Sequence, residues 1–290
     1  MLTNTIQHYL SRQGIRLTVA DTTGAACEAE MIHHLPPVSA AILAKIMTGT
    51  ALMTNDFKNH EGVSFKWITG SELGNIHADA YEGHFVRGFL DHPESGENIP
   101  ADTAHEADLV SRKGQLFVTR YSLLKLPYTS AVNLGHGDIA ACLTEYLNTS
   151  EQTLSALSLS VKLGNDGKII HSAGFLAQLM PGGNLAAFAQ YFRDLDEWDL
   201  SAPAEDPHSL AMLLTKGGFE ILQESPVSFR CTCSEERIRA SLLSLPEGEK
   251  EALLQDPSLE VVCHYCGKKY TISRGVLGKW FEDAKGARCQ

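Results

Sequence analysis

The chain reads as an α+β protein: a mostly antiparallel sheet core domain packed with helices, then a helical linker, then a small C-terminal module built on four cysteines. Three observations predict this. Strand-period and helix-period apolar patterns mix through the first 180 of its 290 residues, Pro181, Gly182 and Gly183 then break the pattern, and four of the seven cysteines lie in one cluster at 231–266. The predicted boundaries are 1–180 for the core domain, 181–230 for the linker and 231–290 for the module.

Residues 15–20, IRLTVA, predict a strand closed by the turn signal DTTG. Pro36 and Pro37 open a segment in which Val38, Ile42, Ile46, Gly49 and Met53 recur at helical spacing and the other faces are also apolar, the pattern of a buried central helix. Val63, Phe65 and Trp67 alternate with Ser64 and Lys66, and NIHADAY, HFVRGFL and GQLFVTRYSL follow as further short strands, with a long loop expected over 91–104. Ile139, Cys142, Leu143, Tyr146 and Leu147 mark one face of an amphipathic helix. Leu157, Leu159, Val161 and Leu163 then alternate with polar residues, and the turn GNDGK leads into IIHSAGFLAQLM, which predicts a hairpin. In the linker, NLAAFAQYFRDL places Leu185, Phe188, Phe192 and Leu195 on one stripe, and DPHSLAMLLTK predicts a second helix after the acidic DEWDLSAPAED. Such short helices bury little surface and are expected to be among the least stable parts of the chain.

Composition narrows the function classes. The formal net charge is -11, and residues 231–290 carry nine basic and nine acidic side chains, so the acidic excess belongs wholly to residues 1–230. That surface argues against nucleic-acid binding, which depends on neutralising phosphates. The most apolar stretch, 35–53, carries Lys45 and several small or hydroxyl residues and predicts no membrane span; the N-terminus lacks a basic start and an apolar run, so no secretory signal is expected and the protein is read as cytoplasmic.

In a reducing compartment, clustered cysteines point to metal or redox chemistry rather than a disulfide framework. Cys231-x-Cys233, twenty-nine residues, then Cys263-x-x-Cys266 offers four thiolates in two close pairs, which suits tetrahedral zinc with every position filled by protein and none left for catalysis. A C-x-C in a strand points both sulfurs one way. Between the pairs, SEERIRASLL with Ser234 as N-cap and EGEKEALLQD predict helices, and LEVVC a strand; His264 is read as a solvated neighbour. The spacing also permits a second chemistry, because each pair is local enough to close a disulfide, and Arg230, Arg237, Lys268 and Lys269 are expected to favour thiolate over thiol once metal is lost. From the cluster alone, a zinc ribbon that only staples the C-terminus competes with a switch.

FRCTCSEER and EVVCHYCGKKY, together with LPPVSAAILAKIMTGTALM, FVRGFLDHP, EYLNTSEQ and SAGFLAQLMPG in the same order, resemble the 33 kDa chaperonin family, the redox-regulated heat shock protein 33. The resemblance spans nearly the whole chain and implies an ATP-independent holdase rather than an enzyme. It implies one zinc per chain on Cys231, Cys233, Cys263 and Cys266 in the inactive reduced form. It further implies that oxidation forms the disulfides Cys231–Cys233 and Cys263–Cys266, releases zinc, unfolds module and linker, exposes a surface for unfolded proteins and favours a homodimer. No G-x-x-x-x-G-K-[ST] loop for ATP occurs in the sequence. Phe188, Phe192, Leu195 and Trp198 are expected to be core that becomes client contact when the linker melts.

Other candidates have plainer readings. Cys27 and Cys142 are expected to be buried apolar residues, His33, His34 and HEAD at 105–108 to be turn or surface residues, and Cys289 to be an exposed thiol without a place in the family pattern. Glu151 and Gln152 suit a sheet edge or an interface. The rivals from other classes are a nucleic-acid or protein interaction ribbon without redox switching, and a thiol-disulfide oxidoreductase at Cys263 and Cys266, for which the thioredoxin-like βαβ setting is lacking.

Overall fold

The structure is a computed structural model that describes residues 4–54, 61–81, 84–99, 106–110, 114–122, 125–135, 138–193, 211–212 and 218–287. The chain divides into two compact units, Met1–Arg230 and Cys231–Gln290.

In the first unit, alternating apolar residues build two sheets. The strands β1 (Thr5–Ser11), β2 (Ile15–Asp21), β8 (Ser155–Leu163), β9 (Ile169–Leu179) and β10 (Phe219–Pro226) form an antiparallel sheet in the order β10-β1-β2-β9-β8. The strands β3 (Gly62–Ile68), β4 (Ile76–Tyr81), β5 (Phe85–Leu90), β6 (Gln115–Ser122), β7 (Lys125–Asn133) and β11 (Ser228–Phe229) form a second sheet, β11-β5-β4-β3-β6-β7, antiparallel except where β11 runs parallel to β5. Helices α1 (Thr23–His33) and α2 (Pro37–Leu52) are followed by the short turns Pro93–Asn98 (3₁₀) and α3 (Glu106–Leu109), by α4 (Ile139–Thr149) and by α5 (Leu185–Tyr191).

Helix α2 packs on β2, β8 and β9 of one sheet and on β3, β4 and β5 of the other. A helix covered from both sides must be apolar all round, and Val38, Ile42, Leu43, Ile46, Met47 and Leu52 are buried accordingly. All five residues expected on the inner face of α4 are buried, and Asp138 caps that helix by accepting from the N–H groups of Ala140 and Ala141. Glu106 holds the start of α4 as well, accepting from Ile139 N–H at 2.6 Å while pairing with Lys45 of α2.

The face of the first sheet turned away from α2 carries Tyr9, Leu17, Val19, Phe175 and Ala177, with Phe188, Phe192 and Ala211 packed against them. Phe188 and Phe192 stand 4.9 Å apart between ring centroids, and Phe192 lies 6.0 Å from Phe175. Burying each ring contributes about 1.5–3 kcal/mol, which a seven-residue helix needs because it is marginal alone. Leu185 departs from the expected stripe and is exposed. Leu195, Trp198 and most of the second expected linker helix lie outside the described residues. The 181–230 segment also contains β10 and β11, which sequence reasoning missed: β10 has the exposed pattern of an edge strand, and its partner is β1 some two hundred residues earlier.

The β1–β2 turn clasps both ends of this segment. Gln13 C=O accepts from Asn184 N–H at 2.8 Å, Gly14 C=O from Met180 N–H at 2.9 Å, and Gly218 C=O from Arg12 N–H at 2.9 Å. Gly14 has φ +71°, and a Cβ there would sit 2.7 Å from Gly183 Cα. Gly14→Ala is therefore expected to cost roughly 1–3 kcal/mol in urea unfolding and to speed proteolysis within 184–193; wild-type values for both would show that the clasp bears no load.

The second unit holds α6 (Glu235–Leu243), α7 (Glu247–Leu253), the hairpin β12 (Ser258–Val262) and β13 (Lys269–Ser273), and α8 (Arg274–Ala287). Ser234 caps α6 as expected, accepting from Arg237 N–H. The buried apolar core is Ile272, Leu277, Trp280 and Phe281, with half-buried leucines from α6 and α7 around it. Buried Lys250 has its charge answered by Glu247 at 3.1 Å and by the Phe281 ring at 5.8 Å. Helix α8 and strand β13 were not anticipated, because the apolar content of 269–287 is thin and interrupted by charge.

Candidate metal centre

Two local structures deliver the four cysteines. Cys263 directly follows the strand β12 and opens a tight turn: Cys263 N–H donates to Lys268 C=O at 2.9 Å, and Gly267 N–H to Cys263 C=O at 2.8 Å. Gly267, at φ +69°, supplies the left-handed residue that reverses the chain before β13. Cys231 and Cys233 lie on irregular backbone between β11 and α6 rather than in a strand, and Arg237 fixes that stretch by donating to Thr232 Oγ1 at 2.7 Å.

The four sulfurs all lie within 4.8 Å of one another, with Cys231 Sγ 3.6 Å from Cys263 Sγ and Cys233 Sγ 3.5 Å from Cys266 Sγ. Zinc–sulfur bonds of about 2.3 Å in a tetrahedron set sulfur–sulfur edges of about 3.8 Å, so the donor set fits such an ion. It is the only group of this kind among the described residues.

The electrostatics explain why a cation suits the site. Burial pushes the Cys266 thiol up to about 12, helped by its hydrogen bonds to the neighbouring thiols, and burial also raises Cys263. Burial works against ionisation of Cys233 too, but hydrogen bonds from the Tyr270 hydroxyl, at 3.1 Å, and from the other thiols outweigh it and bring that thiol down to about 7. One thiolate can be carried this way; four cannot without a positive ion among them. The basic residues expected to favour thiolate are engaged elsewhere. Lys269 pairs with Glu260 at 3.2 Å, Lys268 lies 4.8 Å over the Tyr270 ring, and Arg230 lies 4.5 Å over Phe85. Sequence reasoning missed Tyr270, although its place four residues after Cys266 on a strand was a signal.

The other candidates are structural. Cys142 is fully buried, and half-buried Cys27 donates its S–H to Ile169 C=O at 3.3 Å. Burial, with Glu30 and Asp21 nearby, pushes the Cys27 thiol up and away from reactivity. His34 closes α1 at φ 51°, and His264 is exposed. Glu151 accepts from Arg120 Nε at 2.8 Å and from the Tyr146 hydroxyl, tying the end of α4 to β6. Burial and that hydrogen bond push the Tyr146 hydroxyl up to about 12. His105 and Cys289 lie outside the described residues, and no helix among those described is long and apolar enough to cross a membrane.

Fold and site together define a protein with a two-sheet α+β body and a separate module organised by a tetrathiol centre. The chain belongs to the Hsp33 family of chaperones: the family model described as Hsp33 protein matches residues 4–273. It is 32% identical over 283 residues to the 33 kDa chaperonin of Desulforamulus reducens, covering 94% of this chain and 96% of that one. It is 30% identical over 280 residues to the 33 kDa chaperonin of Lactiplantibacillus plantarum, covering 93% and 94%. The fold matches the crystal structure of the 33 kDa chaperonin of Thermotoga maritima with a TM-score of 0.85 over 98% of this chain and 99% of that one, at 22% identity.

Metal binding here must displace the protons that the thiols hold. Near pH 7, zinc added to metal-free reduced protein is expected to release about three to four protons per ion, and affinity is expected to fall steeply as pH is lowered. Indicator-dye titration in weakly buffered solution checks the first and competition with a chromogenic chelator the second; release of fewer than about two protons would argue against a tetrathiolate.

Proposed function

We propose that this chaperone is an ATP-independent holdase switched by the redox state of Cys231, Cys233, Cys263 and Cys266. The observation that carries the reading is the convergence of these four sulfurs within 4.8 Å, in a chain of the Hsp33 family. Bound zinc would hold the four thiolates together and supply the folding energy that the small core of residues 231–290 lacks. The reduced, metal-bound form is the inactive one.

Oxidation by peroxide proceeds at the sulfurs. A thiolate attacks one peroxide oxygen, the O–O bond breaks with loss of hydroxide, and the neighbouring thiol then attacks the sulfenic sulfur, breaking its S–O bond to form the S–S bond and release water. Each disulfide thus takes two electrons from two thiols and reduces one peroxide to two waters. The proposed pairs are Cys231 with Cys233 and Cys263 with Cys266, as the family resemblance implies. Losing all four ligands releases the metal and unfolds the module. Release of the segment around α5 then frees Phe188 and Phe192, and with them Leu195 and Trp198, as contacts for unfolding proteins, with homodimerisation favoured in the oxidised state. Support for this last step comes from the burial of Phe188 and Phe192 by a short helix that is marginal alone.

The test couples two readouts during peroxide treatment at elevated temperature: zinc released to a chromogenic chelator, and suppression of aggregation of a heat-denatured test protein. About one zinc per chain is expected to leave as holdase activity appears, with reductant plus zinc reversing both. Zinc that stays bound, or leaves without any gain in client binding, overturns the switch and leaves a structural staple. Replacing Phe188 and Phe192 by serine is expected to weaken aggregation suppression by the oxidised protein several-fold; undiminished activity would remove these rings from the client surface.

A further inference from the structure

The hydrogen bonds that reach the four sulfurs differ in origin. Cys263 Sγ accepts from the backbone N–H groups of Tyr265 and Cys266, and Cys266 Sγ from that of Lys268, all donors built into the turn itself. Cys233 has a donor of another kind. The Tyr270 hydroxyl donates to its sulfur at 3.1 Å. Tyr270 lies on β13, opposite Val261 in the β12–β13 ladder, so this bond runs from the hairpin that carries the C-x-x-C pair to a residue of the C-x-C pair. The hydroxyl is aimed by the ladder, and the Lys268 ammonium 4.8 Å over its ring draws electron density from it and strengthens it as a donor.

A hydrogen bond to a thiolate occupies a lone pair, lowers the energy of the remaining sulfur electrons and makes the sulfur a poorer nucleophile. We propose that Tyr270 is a positioning residue that protects Cys233 from oxidation while the β12–β13 hairpin is intact, and that loss of its hydroxyl, by substitution or by local melting of the hairpin, opens the site at Cys233 first. This rests on the switch reading above and uses the same two-electron step with peroxide as oxidant. The guarded atom is Cys233 Sγ, and the bond it protects against is the first S–O bond. Because the donor is a side chain on one element and the acceptor lies on another, disturbing the hairpin breaks this bond, whereas the donors within the 263–268 turn move with their sulfurs.

Tyr270→Phe removes one oxygen and keeps the ring, the strand and the Lys268 contact. In full-length protein loaded with cobalt(II), the variant is expected to keep the ligand-field pattern of tetrahedral sulfur ligation while its sulfur-to-metal charge-transfer band moves to longer wavelength. In the zinc-loaded protein, the second-order rate of peroxide-driven zinc release is expected to rise roughly five-fold, the scale of one hydrogen bond. Mass spectrometry of early time points is expected to find Cys233 oxidised ahead of Cys263 and Cys266 in the variant. A purely structural tyrosine leaves the charge-transfer band in place, so an unmoved band with a wild-type release rate overturns the proposal. Should Tyr270→Phe fail to bind cobalt tetrahedrally, 4-aminophenylalanine at position 270 restores a weaker donor: a band between that of wild type and that of hydroxyl-free tetrathiolate cobalt supports the proposal, and a wild-type band overturns it. If wild-type protein keeps its zinc under peroxide, the switch reading fails by itself, and the cobalt band alone decides whether Tyr270 acts on Cys233.

Discussion

Four sulfurs held within 4.8 Å on two short pieces of chain are the constraint on which the C-terminal unit depends. Uncharged, they are polar groups too weakly bonded to organise a fold; fully charged without a counter-ion, they repel. The rest of the unit cannot make up the difference, because α6 buries no residue fully and the only buried residue of α7 is Lys250. Its apolar core is four side chains from β13 and α8. A divalent cation turns the same four groups from a liability into the strongest set of bonds in the unit, which is why the metal reading follows from the geometry as well as from the spacing.

The first unit is built on the opposite principle. Its main core is continuous from α1 and α2 through both sheets to α4, and no member of it answers to metal or redox chemistry. Of the two cysteines in this unit, Cys142 is fully buried, and the half-buried Cys27 thiol is pushed away from ionisation by partial burial and two nearby carboxylates. A second apolar cluster lies on the other face of the β10-β1-β2-β9-β8 sheet. Among the described residues, those packed on it include Phe188, Phe192 and Ala211, and three backbone hydrogen bonds tie the flanks of this segment to a single hairpin turn. Folding energy is thus unevenly distributed between a deep core in the first unit and a small one in the second.

What was legible in the sequence follows the same division. Periodicity identified α2, α4, β3 and the β8–β9 hairpin because each buries a regular face, and the cysteine spacing singled out the four sulfurs that converge, because such a cluster needs little beyond two close pairs. Elements whose partners lie far off in sequence were not legible. Strand β10 shows an exposed pattern and exists because β1 offers it an edge, and two-residue β11 is a strand only through its pairing with β5. The division of the strands into two sheets rather than one was likewise invisible, since alternation reports that a face is buried and not which neighbour buries it. At the metal centre, the lysines and arginines near in sequence, expected to favour thiolate once metal is lost, have other partners in the folded protein. Those cations reach Glu260, Thr232 and aromatic rings instead, and the group that does bear on Cys233 is an uncharged hydroxyl from another strand.

The coupling of sulfur chemistry to folding depends on relative magnitudes. Within a packed core, removing one large side chain costs about 2–5 kcal/mol, and a domain of ordinary stability, about 5–15 kcal/mol, often survives it. Ligation of zinc by four thiolates is worth about 10–16 kcal/mol in small modules, as much as or more than such a domain has in total. With zinc bound as proposed, a change confined to the sulfurs of residues 231–290, whose described buried apolar core is four side chains, would be large enough to reverse the sign of the folding free energy. No single residue of the first unit has that leverage. The sulfur lone pairs that would bind a cation are also those an oxidant attacks, so under the proposed reading the group with the greatest hold over local folding is also the one open to redox chemistry.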